Sequence, residues 1–188
     1  VVAGILALQG DFGKHREVLQ QMGIESILVR YPQELENCQG LILPGGESTT
    51  LTKQMKYAGL RQPLLNFAAE KAIFGTCAGL IMLAGEVDDD RVNPLGLLDI
   101  TVLRNGWGRQ VHSSTEKIEL KFSEEKPFQA TFIRAPQIQR TGNSIKVLAK
   151  YGDQPVLVTN GRHLGCTFHP ELGKDTRIHE YFKRLMHV

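Results

Sequence analysis

The chain has 188 residues, with 22 Lys and Arg set against 20 Asp and Glu and a formal net charge of +2. That length suits one ordinary domain with a sizeable core, and the near balance of charge, with no basic stripe, argues against nucleic-acid binding. No apolar run approaches the roughly 20 residues of a membrane-crossing helix.

The opening residues 2–8 are apolar throughout and read as a buried strand; they lack the charged n-region of a signal peptide. The chain opens on Val1 rather than Met, so the numbering is not expected to begin at a translation start. A helix is expected over about 13–22 and strands over 25–30 and 40–43. The last of these runs into Pro44-Gly45-Gly46-Glu47-Ser48-Thr49-Thr50. Ser and Thr there are natural helix N-caps, and paired glycines at a strand end let backbone N–H groups approach a ligand closely. The phosphate-loop pattern Gly-x4-Gly-Lys-Ser/Thr is absent. Helical material over 48–70, broken near Gly59 and Pro63, leads to a strand over 72–76. This alternation predicts a mainly parallel sheet with helices on both faces. Ligands on such sheets bind beyond the carboxyl ends of the strands, where Gln9, Gly46 and Cys77 are expected to converge.

Gly75-Thr76-Cys77-Ala78-Gly79 lies between the apolar run Ala72-Ile73-Phe74 and Leu80-Ile81-Met82-Leu83. This is a nucleophile elbow in form, with Cys in place of Ser. Residues larger than Gly or Ala beside the nucleophile would collide with the strand and helix that the turn joins. The turn sets the sulfur at a helix N-terminus, which favours thiolate over thiol. Acyl transfer at an elbow needs two oxyanion donors, one after the nucleophile and one from another loop. The N–H groups of Ala78 and Gly46 are the candidates.

The second half is β-rich. Short runs at 97–103, 117–120, 130–133, 145–148, 155–158 and 163–166 suggest antiparallel strands added to the sheet's edge. Asp88-Asp89-Asp90 reads as a solvated loop. Residues 175–187 close the chain as a helix with Ile178, Tyr181, Phe182 and Leu185 on one face. Between them stands Cys166-Thr167-Phe168-His169-Pro170-Glu171. A cysteine nucleophile needs a base, and the base needs a third group to hold its tautomer. Pro170 is expected to keep this segment extended, so that His169 and Glu171 project from one face. Three cysteines, an odd number without short spacing, argue against disulfides and suit a reducing cytoplasm. Cys38 reads as loop and Cys166 as core. His15, His112, His163, His179 and His187 show no metal spacing, so neither a metal nor a cofactor is expected.

These stretches resemble the class I glutamine amidotransferases, and more narrowly the glutaminase subunits of pyridoxal 5′-phosphate synthase. The likeness is carried by Leu8-Gln9-Gly10-Asp11, the Pro44 to Thr50 loop, Gly75 to Leu80, Arg104-Asn105 with Gly108-Arg109-Gln110, Phe132-Ile133-Arg134-Ala135-Pro136, and His169-Pro170-Glu171-Leu172. Gly106-Trp107 and Gln137 depart from the pattern and flank its motifs. The resemblance implies one glutaminase domain over residues 1–188, with the α/β fold of that class and a Cys77, His169, Glu171 triad. It also implies that Gly46, Glu47, Ser48, Arg104, Ile133 and Arg134 contact L-glutamine. Guanidinium groups suit its carboxylate, which they can bind bidentately. A single glutaminase domain leaves no room for an ammonia acceptor, so the implied partner is a synthase subunit that makes pyridoxal 5′-phosphate, with no nucleic acid or membrane involved. Activity is expected to depend on that partner, because a glycine peptide at Gly45-Gly46 can turn its N–H into or out of the oxyanion hole. Two other classes remain open at this level: another cysteine-elbow hydrolase, and a non-catalytic module that has kept the fold.

Overall fold

The computed structural model describes residues 1–107 and 113–187. The first half alternates as its pattern predicts, through β1 (Val2–Leu6), α1 (Phe12–Gln21), β2 (Glu25–Val29) and β3 (Gly40–Leu43). It continues with α2 (Ser48–Tyr57), α3 (Arg61–Glu70), β4 (Ala72–Thr76) and α4 (Ala78–Leu83). Gly59, at φ +64°, separates α2 from α3. Pro63 does not break the chain. It sits in the first turn of α3, where a missing N–H has no intrahelical partner to lose.

Then come β5 (Ala84–Val87), β6 (Leu98–Leu103), β7 (Ser113–Ile118), β8 (Phe128–Ile133) and β9 (Gln137–Thr141). The chain ends with β10 (Lys146–Tyr151), β11 (Gln154–Thr159), β12 (Leu164–Cys166) and α5 (Arg177–Leu185). A seven-stranded sheet has the order β10-β11-β12-β4-β3-β1-β2. Its five strands from β12 to β2 are parallel neighbours, and β11 and β10 run antiparallel at one edge. The mainly parallel sheet with antiparallel edge strands is therefore present.

Two expectations about the second half need correction. Only β10 and β11 extend the main sheet as edge strands; β5-β6-β9 make a small separate sheet and β7-β8 a two-stranded ribbon. The last strand, β12, lies inside the main sheet, parallel to β4. Leu164, Gly165 and Cys166 are all fully buried or nearly so, and an apolar strand without an outward polar face is stable only between neighbours.

Strand alternation divides the core into two. Leu41, Leu43 and Ile73 point to the side covered by α2, α3 and α4, with Leu51, Met55, Leu64 and Leu80. Ile42, Ala72 and Phe74 point to the other, with Leu19 of α1 and Ile178 and Phe182 of α5. Helices on both faces follow from that division. Cys38 lies outside the strands, as its surroundings predict, but it is buried in the first of these clusters. Its neighbour Gly4 leaves no room for a side chain, since a Cβ there would stand 2.9 Å from the Cys38 sulfur.

Candidate active site

Three adjacent strands, β12, β4 and β3, end at the same edge of the sheet. The residues that follow them are His169, Cys77 and Gly45. Parallel neighbours place their carboxyl ends side by side, and the Cys77 N–H donates to the Cys166 carbonyl at 2.9 Å, which fastens the elbow to β12.

Cys77 has φ 52° and ψ −107°, a strained conformation for a residue with a side chain, and it caps α4. Such strain costs on the order of 1–3 kcal/mol and persists only where the surroundings impose it. They do so here. A Cβ on Gly75 would meet the Gly79 carbonyl at 2.5 Å, and one on Gly79 would meet the Leu43 carbonyl oxygen at 1.9 Å. The elbow therefore closes only with glycine at both positions. Gly45 is wedged between nucleophile and imidazole: a Cβ on it would stand 2.5 Å from His169 Cε1 and 3.3 Å from Cys77 Cβ.

His169 Nδ1 and Glu171 Oε1 are 2.7 Å apart, and the Glu171 side chain is fully buried. The route differs from the extended segment expected. Pro170–Leu172 is a 3-10 turn with Pro at its first position, where its fixed φ starts a helical turn rather than preventing one. The turn folds the carboxylate back beside the imidazole. Burial works to lower the His169 pKa, but hydrogen bonds to Cys77 and Glu171, with the charges of both, outweigh it and raise the value to about 10. The imidazole is protonated at neutral pH. Cys166, fully buried, is core as its sequence suggests; burial, with the charge of Glu171, pushes its thiol well up and away from reactivity.

The second candidate group gathers at the end of β3. Gln9 lies on Gly46, whose Cβ, if present, would meet the amide at 2.3 Å, and Gln9 Oε1 accepts from the Glu47 N–H at 3.0 Å. The Gly45 carbonyl packs on Gly10, leaving 1.8 Å for a Cβ there. In a trans peptide the Gly46 N–H points the opposite way. Gln9, the glycine pair and Cys77 are thus neighbours.

Glu47, rather than the Ser-Thr-Thr that follows it, caps α2. Its carboxylate accepts from the Thr49 and Thr50 amides at 3.1 and 2.7 Å, and from both threonine hydroxyls. Partial burial opposes ionisation, but these hydrogen bonds outweigh it and bring the pKa to about 2. Arg104 reaches Glu47 at 2.8 Å across 57 residues of sequence, and it also pairs with Asp89. The Arg104 N–H donates to Asp88 at 2.8 Å. The acidic run is therefore not simply solvated, because two of its members hold Arg104 in place.

Ser48 is buried and its hydroxyl has no partner among the described residues. Ile133 offers its carbonyl to the Cys77 thiol at 3.8 Å, and Arg134, at φ 44°, is exposed. The departures Gly106 and Gln137 pack on each other: a Cβ on Gly106 would stand 2.3 Å from Gln137 Oε1. Gly108-Arg109-Gln110 and His112 lie outside the described residues.

Sequence reasoning missed His15 and His179, which meet beneath Glu171 from opposite ends of the chain. No spacing could have paired residues so far apart. Among the described residues, no cluster of His, Cys, Asp and Glu could hold a metal, and no helix is long and apolar enough to cross a membrane.

Residues 5–187 match the SNO glutamine amidotransferase family. The chain is 45% identical over 184 residues to a pyridoxal 5′-phosphate synthase subunit PdxT of Thermotoga petrophila, covering 97% of this chain and 98% of that one. It is 46% identical to the same-named subunit of Thermosipho africanus, with 97% of each chain covered. A solved glutamine amidotransferase structure superposes over 100% of both chains with a TM-score of 0.93 and 44% identity.

Proposed function

The chain belongs to the SNO glutamine amidotransferase family, and on that premise we propose that it is the glutaminase subunit of a pyridoxal 5′-phosphate synthase. Residues 1–188 act as one glutaminase domain. It hydrolyses L-glutamine to L-glutamate and ammonia, which passes to a separate synthase subunit as its hetero-oligomeric partner. The observation that carries this reading is the hydrogen-bonded pair His169 and Glu171 set beside Cys77, across Gly45, at the end of adjacent parallel strands.

The Cys77 sulfur attacks the side-chain amide carbon of glutamine, and the C=O electron pair moves onto oxygen. The Ala78 and Gly46 N–H groups hold that oxyanion; losing one such donor typically costs roughly a hundredfold or more. When the intermediate collapses, the C–N bond breaks and His169 gives its proton to the departing nitrogen, releasing ammonia and leaving a thioester. The imidazole, now neutral, takes a proton from water as the water attacks the thioester. Glutamate leaves and the sulfur is restored. Glu171 keeps the Nδ1 proton of His169 in place through both halves.

Arg104, with Arg134, receives the α-carboxylate, and Glu47 sits where it can receive the α-ammonium. Ser48, Gly46 and the Ile133 carbonyl complete the substrate's surroundings. Free ammonia is useless to a biosynthetic enzyme, so turnover rises when the partner holds the Gly45-Gly46 peptide in its productive orientation.

The test is glutamate release by the isolated chain and by the chain with the synthase subunit, each against Cys77→Ala. Glutamate release that requires Cys77 and increases with the partner is the expected result. A glutamine-like electrophile adds one covalent mass, on Cys77. Turnover retained in Cys77→Ala, or a label on Cys38 or Cys166, overturns the assignment of the nucleophile.

A further inference from the structure

Glu171 has two carboxylate oxygens, and the triad uses one. Oε1 pairs with His169, while Oε2 is buried with no conventional hydrogen bond among the described residues. It faces His15 Nε2 at 3.5 Å. His15 is fully buried at the end of the first turn of α1, an unfavourable place for a polar ring unless its nitrogens have partners. The same Nε2 lies 3.3 Å from the hydroxyl of Thr76, the residue before the nucleophile. On its other side, Nδ1 lies 3.0 Å from His179 Nε2 of α5.

We infer that His15 is a positioning residue of the glutaminase: its Nε2–H holds the inner oxygen of Glu171 and Thr76, the last residue of β4 before Cys77, in register. The inference rests on the triad reading above and extends it by one residue.

The tautomers follow from what is buried. Desolvation, with the neighbouring His179 and His169, keeps His15 neutral, and burial brings His179 to about 4. Each ring then carries one proton. With that proton on Nε2, His15 donates toward Glu171 and Thr76, and its Nδ1 accepts from His179 Nε2–H. The leftover group is a bare lone pair on His179 Nδ1, which has no partner. The opposite arrangement sets the His15 lone pair against a buried carboxylate and leaves His179 Nδ1–H stranded. Orphaned N–H groups are rarer and costlier than under-used acceptors, so both terms select the first arrangement.

Every proton in the line then points toward Glu171, from His179 to His15 to Oε2, and from His169 to Oε1. The carboxylate is held from two sides, which fixes its rotation and keeps the His169 ring aimed at Cys77. At 3.5 Å the contact is longer than the roughly 2.7–3.2 Å of an ordinary N–H···O hydrogen bond, and hydrogen bonds of a substrate-free catalytic site are often long in this way.

Two conservative variants separate positioning from packing. Gln at position 15 puts an amide N–H where Nε2 stood; Asn puts one where Nδ1 stood. His15→Asn is expected to lower kcat roughly 10- to 100-fold, the range for losing a hydrogen bond to a charged group, with KM little changed, and His15→Gln to recover most of it. The reverse order, or losses in both that track their melting temperatures, assigns His15 to packing and overturns the inference. Histidine 15N NMR of the wild-type protein needs no variant to fold: His15 is expected in the Nε2–H tautomer, and the Nδ1–H tautomer overturns the inference. Wild-type glutamate release that does not require Cys77 marks failure of the triad reading itself, whereas Cys77-dependent release with a fully active His15→Asn refutes only the role of His15.

Discussion

Gly45→Ala adds a single methyl group at the point where nucleophile and base are closest to a third strand. Gly45 is not among the residues with left-handed φ, so alanine meets no backbone penalty and the effect is one of space. The new Cβ would stand 2.5 Å from His169 Cε1 and 3.3 Å from both His169 Nδ1 and Cys77 Cβ. Carbon–carbon contacts relax at about 3.5–4.0 Å, so ring and loop must part by about 1 Å. The ring cannot retreat freely: Glu171 holds Nδ1 at 2.7 Å, and the His169 N–H donates to the Thr131 carbonyl at 2.8 Å. A misplacement of about 1 Å costs roughly a hundredfold in rate. Overpacking adds a stability loss of about 1–3 kcal/mol, worth about 2–4 °C in melting temperature per kcal/mol at this size. Steady-state glutamate release with the synthase subunit present, well below the melting point, should show kcat down about a hundredfold with KM nearly unchanged. Gly13→Ala is the control, since its Cβ meets nothing within 4 Å and lies within α1. It should keep full activity and gain about 0.5–1 kcal/mol. A Gly45→Ala kcat within about threefold of wild type would show that Gly45 is not wedged between the pair.

His169→Asn should cost activity by several orders of magnitude and Glu171→Gln less, because loss of the acid–base outweighs loss of its orienter; equal kcat for Glu171→Gln and wild type would remove Glu171 from the mechanism. Arg104→Ala should raise KM more than it lowers kcat, and an unchanged KM would confine Arg104 to its ion pairs with Glu47 and Asp89. Thermal stability should peak near pH 6.5. Burial holds His179 and His163 at about 4, below their usual 6.5, so the stability they confer is complete above 6.5 and lost as pH falls toward 4. His169 has the opposite sign: its folded value of about 10 lies above 6.5, so its contribution is complete below 6.5 and lost as pH rises toward 10. A melting temperature unchanged between pH 4 and 10 would refute both assignments.

The sequence by itself determined the residues whose chemistry or backbone geometry is local. The elbow could be read because Gly75 is required by contacts within a few residues of Cys77, whereas the need for Gly79 comes from the Leu43 carbonyl of the neighbouring strand. The β–α alternation of the first half could be read because apolar period and turn residues are local signals. The pairing of His169 with Glu171 was legible from two-residue spacing, although the path was not: proline stops a helix from continuing and equally starts one, and only the following turn decides.

What the tertiary structure decided is which distant segments are neighbours. β12 reads as an edge strand in isolation, and its place beside β4 is set by the burial of both its faces. That place brings His169 to Cys77. Asp89 reads as a solvated loop until the fold delivers Arg104 to it. His15 and His179 carry no signal at all, since 164 residues separate two rings that touch. Pattern encodes which face of an element is apolar, whereas the polar contacts of a buried side chain depend on whatever the packed core sets opposite it.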